Sequence, residues 1–288
     1  MRKTLLAVKT IAFIFSRGLC IQAEGLKRRN MDVIYVLIRK RARQIVFRFP
    51  PPDFYKDFSW AYNLSGKVFE TDPVIRALHA FAAEHLENDF GHGLKHAVKV
   101  TLDAGALMFI EQMGPNPEKH GLKIDDRIIR NVFVVQCAGI LHDIRRKEKN
   151  HAEKGADYAR ELLKTYPLSP DETEDVSQAI RNHEAFRESP AVSTSRGLLI
   201  SDCLYDADKF RWGPDNFTDT VWEMVSFSRT PLSEFIAFYP KGMEALERIK
   251  STFRTHTGRK YGPQFIDIGL AVGNELYEVI KTEFAHLL

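Results

Sequence analysis

The chain of 288 residues has only three cysteines, Cys20, Cys137 and Cys203. They form no CxxC motif, and an odd number cannot complete a set of intramolecular disulfides. The sequence therefore argues against a disulfide-stabilised scaffold and against a cysteine-based zinc site. Because such cysteine usage is typical of a reducing compartment, we expect a cytoplasmic location, with peripheral membrane association or export as alternatives.

A membrane-length apolar run is also lacking. Residues 1–20 have a charged start and an apolar stretch, as signal peptides do, but Lys9 interrupts the stretch and no small-x-small cleavage site follows. The run is too short to span a bilayer. We favour a non-secretory segment over a signal peptide. A native start at Met31, with residues 1–30 outside the native protein, is the other alternative.

Charge is unevenly distributed along the chain. The net charge is +3, yet residues 1–49 hold twelve lysines and arginines against two acidic residues, which leaves −7 for the rest. Within this basic extension, the β-branched runs 33–38 and 44–49 predict a short β-hairpin. The alternatives are a basic surface that contacts acidic lipids or nucleic acid, and an ordinary solvated face.

The prolines at 50–52 interrupt regular structure, and beyond them the apolar residues recur at helical spacing. Ser169, Pro170 and Glu172 form a capping box with proline at the first helical position. Because no strands alternate with the helices, the predicted fold is all-α. We expect a basic extension at 1–49, a linker at 50–71 and a helical domain at 72–288. The predicted helices span residues 72–87, 94–112, 128–144, 150–164, 170–183, 197–211 and 263–284.

His142 and Asp143 stand side by side at the end of the most apolar predicted helix. A carboxylate beside a core costs several kcal/mol in desolvation unless a partner compensates its charge. A divalent cation that binds both side chains would remove that cost. The pair therefore indicates a metal site if other ligands lie around it.

Other histidines and aspartates lie at the ends of neighbouring predicted helices. His92 and His96 are four residues apart and share a helix face. Each residue taken alone also fits an ordinary role, such as a helix cap or a histidine favoured by the helix dipole. Their common order along facing helices favours a shared site. The further residues are His151, His183, Asp202, Asp206 and Asp208.

The order of these residues resembles the HD-domain superfamily of metal-dependent phosphohydrolases, and most of all its small bacterial hydrolases. The segments GHGLKHAVKV, HAEKGADYARELL, AIRNHE and DADKF are similar to that family's H-x-x-x-H-V, H-A-x-x-G-A-x-x-A, A-I-x-x-H and DADRL motifs. The resemblance covers about residues 72–284 and implies an HD-domain-like helical bundle. It departs at residues 211–217, where RWGPDNF replaces an aspartate and small residues, so the substrate pocket lies outside the likeness.

The resemblance implies that His96, His142, Asp143 and one further aspartate are the metal ligands. Matching ADKF to ADRL selects Asp208 as that aspartate. Side chains two apart on a helix point about 200° apart, so Asp206 cannot face the same ion and is expected to orient a histidine instead.

Asp143, His151 and His183 are the candidate catalytic residues. Asp143 could accept the proton of the attacking water. The two histidines could bind phosphate, protonate the leaving oxygen or complete a second metal site. Substrate contacts are expected from His92, Arg145, Arg146 and Lys209, although the two arginines are equally compatible with a solvated basic loop.

Mixed histidine and carboxylate ligation favours Mn²⁺, Fe²⁺, Co²⁺, Ni²⁺ or Zn²⁺ over Mg²⁺. We expect one ion per chain, or two if His151 and His183 bind a second. The expected substrate is a small phosphorylated molecule, with a nucleotide favoured, and a homo-oligomer is compatible with the sequence. The alternatives are a binuclear phosphodiesterase, a di-iron oxygenase on the same fold, and a metal-stabilised binding module whose basic arm contacts membrane or nucleic acid.

Overall fold

A computed structural model describes residues 25–86, 93–117, 121–188, 190–228 and 230–288. Within these ranges the regular structure is helical and no strand occurs, so the predicted all-α fold is confirmed. A π-helical turn, Asn216–Thr220, precedes α10, and a 3₁₀ turn, Ala285–Leu287, follows α12. The helices are α1 Gly25–Val46, α2 Asp53–Asp57, α3 Ser59–Thr71, α4 Pro73–His85, α5 Leu94–Met113, α6 Asp126–Leu141, α7 His151–Leu163, α8 Pro170–Arg181, α9 Ser195–Phe210, α10 Val221–Ser228, α11 Leu232–Ile249 and α12 His256–Glu283.

The centre of the bundle is formed by α5, α6, α8 and α9. Helix α6 packs against the other three, and α9 also contacts α5 and α8. Helix α3 covers α5, and α7 packs on α8. Helix α6 is therefore buried on several sides, which explains why apolar residues occur almost all round it.

Two glycines set the close approach of the central helices. A Cβ on Gly105 of α5 would lie 2.2 Å from Ser65 Oγ of α3. A Cβ on Gly139 of α6 would lie 2.7 Å from the backbone of Thr101 on α5. Glycine inside a helix costs about 1 kcal/mol relative to alanine, so these positions are explained by the close packing that they permit. This packing brings the beginning of α5 and the end of α6 to the same end of the bundle.

The β-hairpin predicted within residues 33–49 is wrong, because the segment belongs to α1. Tyr35, Ile38, Ala42 and Ile45 are buried and recur at helical spacing, which places them on one face against the body of the protein. The β-branched residues that suggested strands are divided between this face and the exposed one. Packing of the apolar stripe thus overrides local β propensity.

Arginines of the basic extension pair with acidic residues elsewhere in the chain. Arg39 and Arg43 both reach Asp219, at 2.7 and 3.1 Å, and Arg41 pairs with Glu283. Helix α1 also packs on α10 and α12. The charge asymmetry between the extension and the rest therefore contributes to docking α1 on the acidic body.

Residues 50–71, expected to be a linker, instead form α2 and α3. Phe54 is fully buried, and its ring centroid lies 5.1 Å from that of Phe210 and 6.1 Å from that of Phe265. The prolines interrupt regular structure as predicted, since α1 ends at Val46 and α2 begins at Asp53. The aromatic residues that follow them pack into the core. Helix α2, with five residues, is too short for a helical period to show in the sequence.

Most predicted helices are confirmed with shifts of a few residues at their ends. Helices α10 and α11 were not predicted, and Pro240 inside α11 explains part of that failure. Helix α12 starts seven residues before Pro263, at His256, where Thr255 Oγ1 caps the amide of Gly258 at 2.7 Å. Pro263 thus lies inside the helix, where its missing N–H removes one helical hydrogen bond.

Two of the three cysteines lie within the described residues. Cys137 and Cys203 are buried and form no disulfide, whereas Cys20 lies outside the described residues. In the part of the chain that the structure describes, every helix is too short or too polar to cross a membrane.

The capping box at the start of α8 is confirmed and is tied to α6. The amide of Glu172 donates to Ser169 Oγ at 3.2 Å, and the amide of Ser169 donates to Glu172 Oε2 at 2.8 Å. Arg130 of α6 donates to both carboxylate oxygens of Glu172, at 2.7 and 2.8 Å. The Arg130 guanidinium lowers the pKa of Glu172 from 4.5 to about 2.

We expect Glu172→Gln to lower the free energy of unfolding by about 1–2 kcal/mol at pH 7, because Arg130 then loses its charged partner. The folded-state pKa of Glu172 lies below the unfolded one, so this stabilisation is present above about pH 4.5 and is lost as the pH falls toward about 2. Urea denaturation at pH 7 and pH 3 measures it. Asp171→Asn, an exposed carboxylate in the same helical turn, is the matched control. Equal losses for the two variants would contradict the assignment.

Candidate metal centre

Six of the side chains predicted from the sequence converge at one end of the bundle. All of them are largely withdrawn from solvent, and the most exposed side chain, that of His151, is only 11% accessible. No apolar side chain separates them, since their ring and carboxylate atoms contact one another directly. They are His96, His142, Asp143, His151, His183 and Asp208.

Helix ends place these residues. His96 lies in the first turn of α5, His142 directly follows α6, and His151 begins α7. His183 lies two residues after α8, and Asp208 lies in the last turn of α9. Because five helices meet here through their ends, their side chains can point inward without disturbing the apolar packing along the helices.

The first group consists of His96, His142, Asp208 and one oxygen of Asp143. The Nε2 atoms of His96 and His142 lie 3.2 Å apart. His96 Nε2 lies 3.3 Å from Asp208 Oδ1, and His142 Nε2 lies 3.4 Å from Asp143 Oδ2. The two remaining histidine–carboxylate distances within the group are both 3.9 Å.

These distances fit a metal ion. Two nitrogen or oxygen ligands about 2.1 Å from one ion lie about 3.0–3.4 Å apart in tetrahedral or octahedral geometry, and farther apart when the angle is wider. Two imidazoles that face each other through Nε2, with a carboxylate oxygen beside each, form the donor set of a divalent transition metal. The residues present therefore fit a divalent cation.

The orientation of two histidines is fixed from behind. The carbonyl oxygen of Gly139 lies 2.8 Å from His142 Nδ1, and that of Ile180 lies 2.6 Å from His183 Nδ1. A carbonyl can only accept, so Nδ1 carries the proton in both rings. Each Nε2 then presents its lone pair to the cluster, as a metal ligand must.

Burial and neighbouring charges set the protonation of the first group. Burial lowers the pKa of His96, which favours the neutral imidazole that binds a metal. Burial raises the pKa of Asp208, but the adjacent Lys209 ammonium, with His96 and His142, outweighs it and holds that pKa well below its usual range. Burial likewise lowers the pKa of His142, and the carboxylate of Asp143 outweighs this and raises it. The charged carboxylate of Asp208 makes the centre attractive to a cation.

A second group lies on the other side of Asp143. Asp143 Oδ1 lies 3.6 Å from His183 Nε2 and 3.7 Å from His151 Nε2. The three ligand atoms all lie within 4.8 Å of one another. Asp143 thus offers one oxygen to each group. Arg146 enters the second group, since its NH1 donates to His151 Nε2 at 2.7 Å and lies 3.7 Å from Asp143 Oδ1.

Of the other residues expected to contact substrate, Lys209 lies at the cluster and Arg145 does not. Lys209 is buried, and its Nζ donates to the carbonyl of His183 at 2.8 Å and to Asp208 Oδ2, so it braces the ligands from behind. Arg145 lies outside the cluster, with its guanidinium 4.0 Å above the ring of Tyr158 and 3.6 Å from Glu148. His92 lies outside the described residues.

Asp206 does not orient a histidine, contrary to expectation. Its Oδ1 accepts from the amide of Arg254 at 2.9 Å, and its Oδ2 accepts from the amide and the hydroxyl of Thr255 at 2.8 and 2.7 Å. Asp206 therefore anchors the start of α12. The predicted opposition of Asp206 and Asp208 across α9 is confirmed, but the face that Asp206 meets could not be known without the tertiary structure.

The departure at residues 211–217 has a structural role that sequence reasoning missed. Arg211 is buried and contacts Asp103 of α5, Tyr55 and Asp215. Lys99 of α5 also reaches Asp215, at 2.6 Å. These contacts join the segment after Asp208 to the helix of His96. The sequence does show that Asp103 lies seven residues after His96, and therefore on the same helix face. It does not show that Arg211 is the partner of Asp103.

Glu184 is the other residue that sequence reasoning missed. Its Oε1 lies 3.4 Å from His151 Nδ1, and its Oε2 lies 2.6 Å from Arg187. Its position directly after His183 was the only signal in the sequence. A carboxylate beside Nδ1 fixes the His151 ring in the tautomer that leaves Nε2 as an acceptor.

Comparison with known proteins agrees with the geometry. The HD domain family model matches residues 94–212, a segment that contains all six clustered residues. A search of curated proteins finds no match. Among solved structures, the chain is similar to the crystal structure of a predicted HD superfamily hydrolase from an uncultured Thermotogales bacterium. The identity is 20%, the similarity covers 77% of this chain and 94% of that one, and the TM-score is 0.39.

HD domains bind divalent metals, and the family match supports a metal-dependent hydrolase as the general class. The resemblance of the sequence motifs and the buried groups of histidine and aspartate agree with this class. The match to the HD domain family covers residues 94–212, and over that segment it agrees with the resemblance predicted from the sequence motifs.

Proposed function

We propose that this protein is a metal-dependent phosphohydrolase in which water cleaves a phosphoester or phosphoanhydride bond of a small substrate. The observation that supports it most is the first group, in which two buried histidine nitrogens lie 3.2 Å apart and each lies 3.3–3.9 Å from two buried carboxylate oxygens. Two buried carboxylates that face two imidazoles would be unfavourable without a cation. The site is therefore built for metal binding rather than for stability.

We assign His96, His142, Asp143 and Asp208 as the metal ligands. Imidazole is a softer ligand than water or carboxylate, so the set favours Mn²⁺, Fe²⁺, Co²⁺, Ni²⁺ or Zn²⁺ over Mg²⁺. When bound, the ion supplies Lewis acidity toward water and a phosphoryl oxygen. Lys209 neutralises part of the carboxylate charge and holds Asp208 in place through the contacts described above.

We assign the second oxygen of Asp143 as the general base. It faces away from the first group, toward His151 and His183, so it can accept the proton of the attacking water. Water attacks phosphorus as the bond between phosphorus and the leaving oxygen breaks. The proton that Asp143 accepts from water passes to the Nε2 lone pair of His183 or His151, and from that nitrogen to the leaving oxygen. The spacing of 3.6 Å between Asp143 Oδ1 and His183 Nε2 allows this transfer through a water molecule.

A phosphoryl group is the substrate feature that the charges favour. Arg146 lies beside the cluster and keeps 33% of its side chain accessible, so it can donate to phosphate oxygens. Lys209, by contrast, is buried and already engaged. The choice of a nucleotide comes from the resemblance to small bacterial HD hydrolases and remains a proposal, as do the cytoplasmic location and self-association.

A binuclear phosphodiesterase is the second candidate function, and a di-iron oxygenase shares its requirement for two ions. The second group favours it, because Asp143, His151 and His183 could hold another ion. A binding module with a basic arm has less support, since Arg39, Arg41 and Arg43 pair with acidic residues of the same chain.

Asp206 and Asp208 of α9 provide a test of the metal assignment. We expect Asp208→Asn to weaken Mn²⁺ binding by at least about 100-fold and to abolish hydrolysis, because the ligand oxygen loses its charge. Asp206→Asn should keep the metal and lower the free energy of unfolding by about 1–3 kcal/mol. The substitution replaces one of the two carboxylate oxygens that accept hydrogen bonds from Arg254 and Thr255 at the start of α12. Metal analysis, calorimetric titration and urea denaturation measure these effects. Wild-type metal affinity in Asp208→Asn would refute the assignment.

The proposed acid–base role is tested at His183. We expect His183→Gln to keep the metal and to lower kcat by about 100- to 10,000-fold, because the leaving oxygen loses its proton donor. His79→Gln, on α4 and remote from the cluster, is the control and should retain wild-type turnover. The assay is hydrolysis of p-nitrophenyl phosphate, bis-p-nitrophenyl phosphate and a nucleotide panel. Wild-type kcat in His183→Gln on the best of these substrates would remove the histidine from the mechanism.

A further inference from the structure

The second group around Asp143 already contains a cation that belongs to the protein. Arg146 NH1 donates to His151 Nε2 at 2.7 Å and lies 3.7 Å from Asp143 Oδ1. These are two of the three side chains that would hold a second metal ion. The guanidinium therefore lies against the ligand atoms themselves.

The loop between α6 and α7 brings Arg146 to this position. The amide of Arg146 donates to the carbonyl of Asp143 at 2.9 Å, which turns the chain back on itself directly after the ligand pair. Asn150, with a φ of +59°, then redirects the backbone so that His151 begins α7. Asparagine tolerates this left-handed conformation better than most residues.

Hydrogen bonding around His151 has the direction that a metal ion would require. Its Nδ1 lies 3.4 Å from Glu184 Oε1, and the carboxylate can only accept, so Nδ1 carries the proton. Its Nε2 is then an acceptor, and Arg146 donates to it. A second metal ion would need the same lone pair.

The guanidinium and a second metal ion exclude each other. Arginine remains protonated in proteins and has donors but no acceptor, so it can only repel a cation. It also uses the His151 lone pair and lies beside the oxygen of Asp143 that a second ion would share. A second ion could enter only if Arg146 left the group.

We propose that Arg146 takes the place of a second metal ion, so that the chain binds one ion, in the first group. This inference rests on the proposed function, because it presupposes that the first group binds metal. It selects the mononuclear phosphohydrolase over the binuclear alternatives. It also leaves His183 as the proton donor, since the His151 lone pair is engaged by an arginine.

The neighbouring Arg145 provides a matched control. It belongs to the same loop and carries the same charge, but it stacks on Tyr158 and pairs with Glu148. Arg145→Met and Arg146→Met therefore change the net charge equally, and only the second removes a cation from the group around Asp143. Arg146→Ala serves as a second variant that also removes the aliphatic chain.

The experiment counts Mn²⁺ ions on the full-length chain. Protein stripped with a chelator is titrated with Mn²⁺, and bound metal is counted by elemental analysis and observed by electron paramagnetic resonance. We expect one ion per chain in the wild type and in Arg145→Met, with the hyperfine spectrum of an isolated ion. In Arg146→Met and Arg146→Ala we expect two ions per chain with a spin-coupled spectrum, because both would contact Asp143.

Two ions in the wild type would overturn the inference, as would a single ion in Arg146 variants whose circular dichroism is native. The wild-type count needs no variant, so the inference can be refuted whether or not the substitutions fold. No bound Mn²⁺ in the wild type would overturn the proposed metal site together with this inference. Two wild-type ions with active hydrolysis would overturn only the role of Arg146.

Discussion

The structure depends on placing two carboxylates, Asp143 and Asp208, in the interior beside four imidazoles. Both are almost wholly withdrawn from water, and their charge is compensated in part by Lys209 and Arg146. Unpaired carboxylates in such surroundings would take up protons or destabilise the fold. Here nearby cations and hydrogen-bond donors keep Asp208 ionised, and a divalent ion would complete the compensation. The helix ends and the loop after α6 bring the two carboxylates together, and the contacts of Lys209 and Arg146 compensate their charge.

The scaffold holds the ligands through two kinds of contact. Close packing at Gly105 and Gly139 aligns α3, α5 and α6, so that His96 and His142 meet at one end of the bundle. Buried polar contacts then fix the end of α9, where Arg211 ties the segment after Asp208 to α5. A buried ion pair often adds little net stability, so we interpret this network as one that positions the end of α9 relative to α5. Two of its members, Arg211 and Asp215, come from the segment in which the sequence departs from the family motifs.

Much of the site could be predicted from the sequence, because its residues lie in local motifs and at ends of strongly periodic helices. His142 and Asp143 follow an apolar helix, and the resemblance of ADKF to a family motif selected Asp208 over Asp206. The period of a helix shows only that these two side chains point apart. What could not be predicted depends on contacts between distant segments. Residues 33–49 have local β propensity, yet burial of one apolar stripe makes them helical. The anchoring of α12 by Asp206 has no signature in the sequence, because it joins two helices that are far apart along the chain. The approach of Arg146 to His151 is local, but it depends on the exact turn of the loop between α6 and α7.

Anomalous diffraction from crystals of the protein grown with Mn²⁺ tests the central claim most directly. The account predicts one strong peak per chain, within about 2.3 Å of His96 Nε2, His142 Nε2, Asp143 Oδ2 and Asp208 Oδ1. It also predicts that the guanidinium of Arg146 remains beside His151. A peak elsewhere in the bundle, or no peak at these four atoms, would contradict the claim that the buried histidines and aspartates form a metal centre.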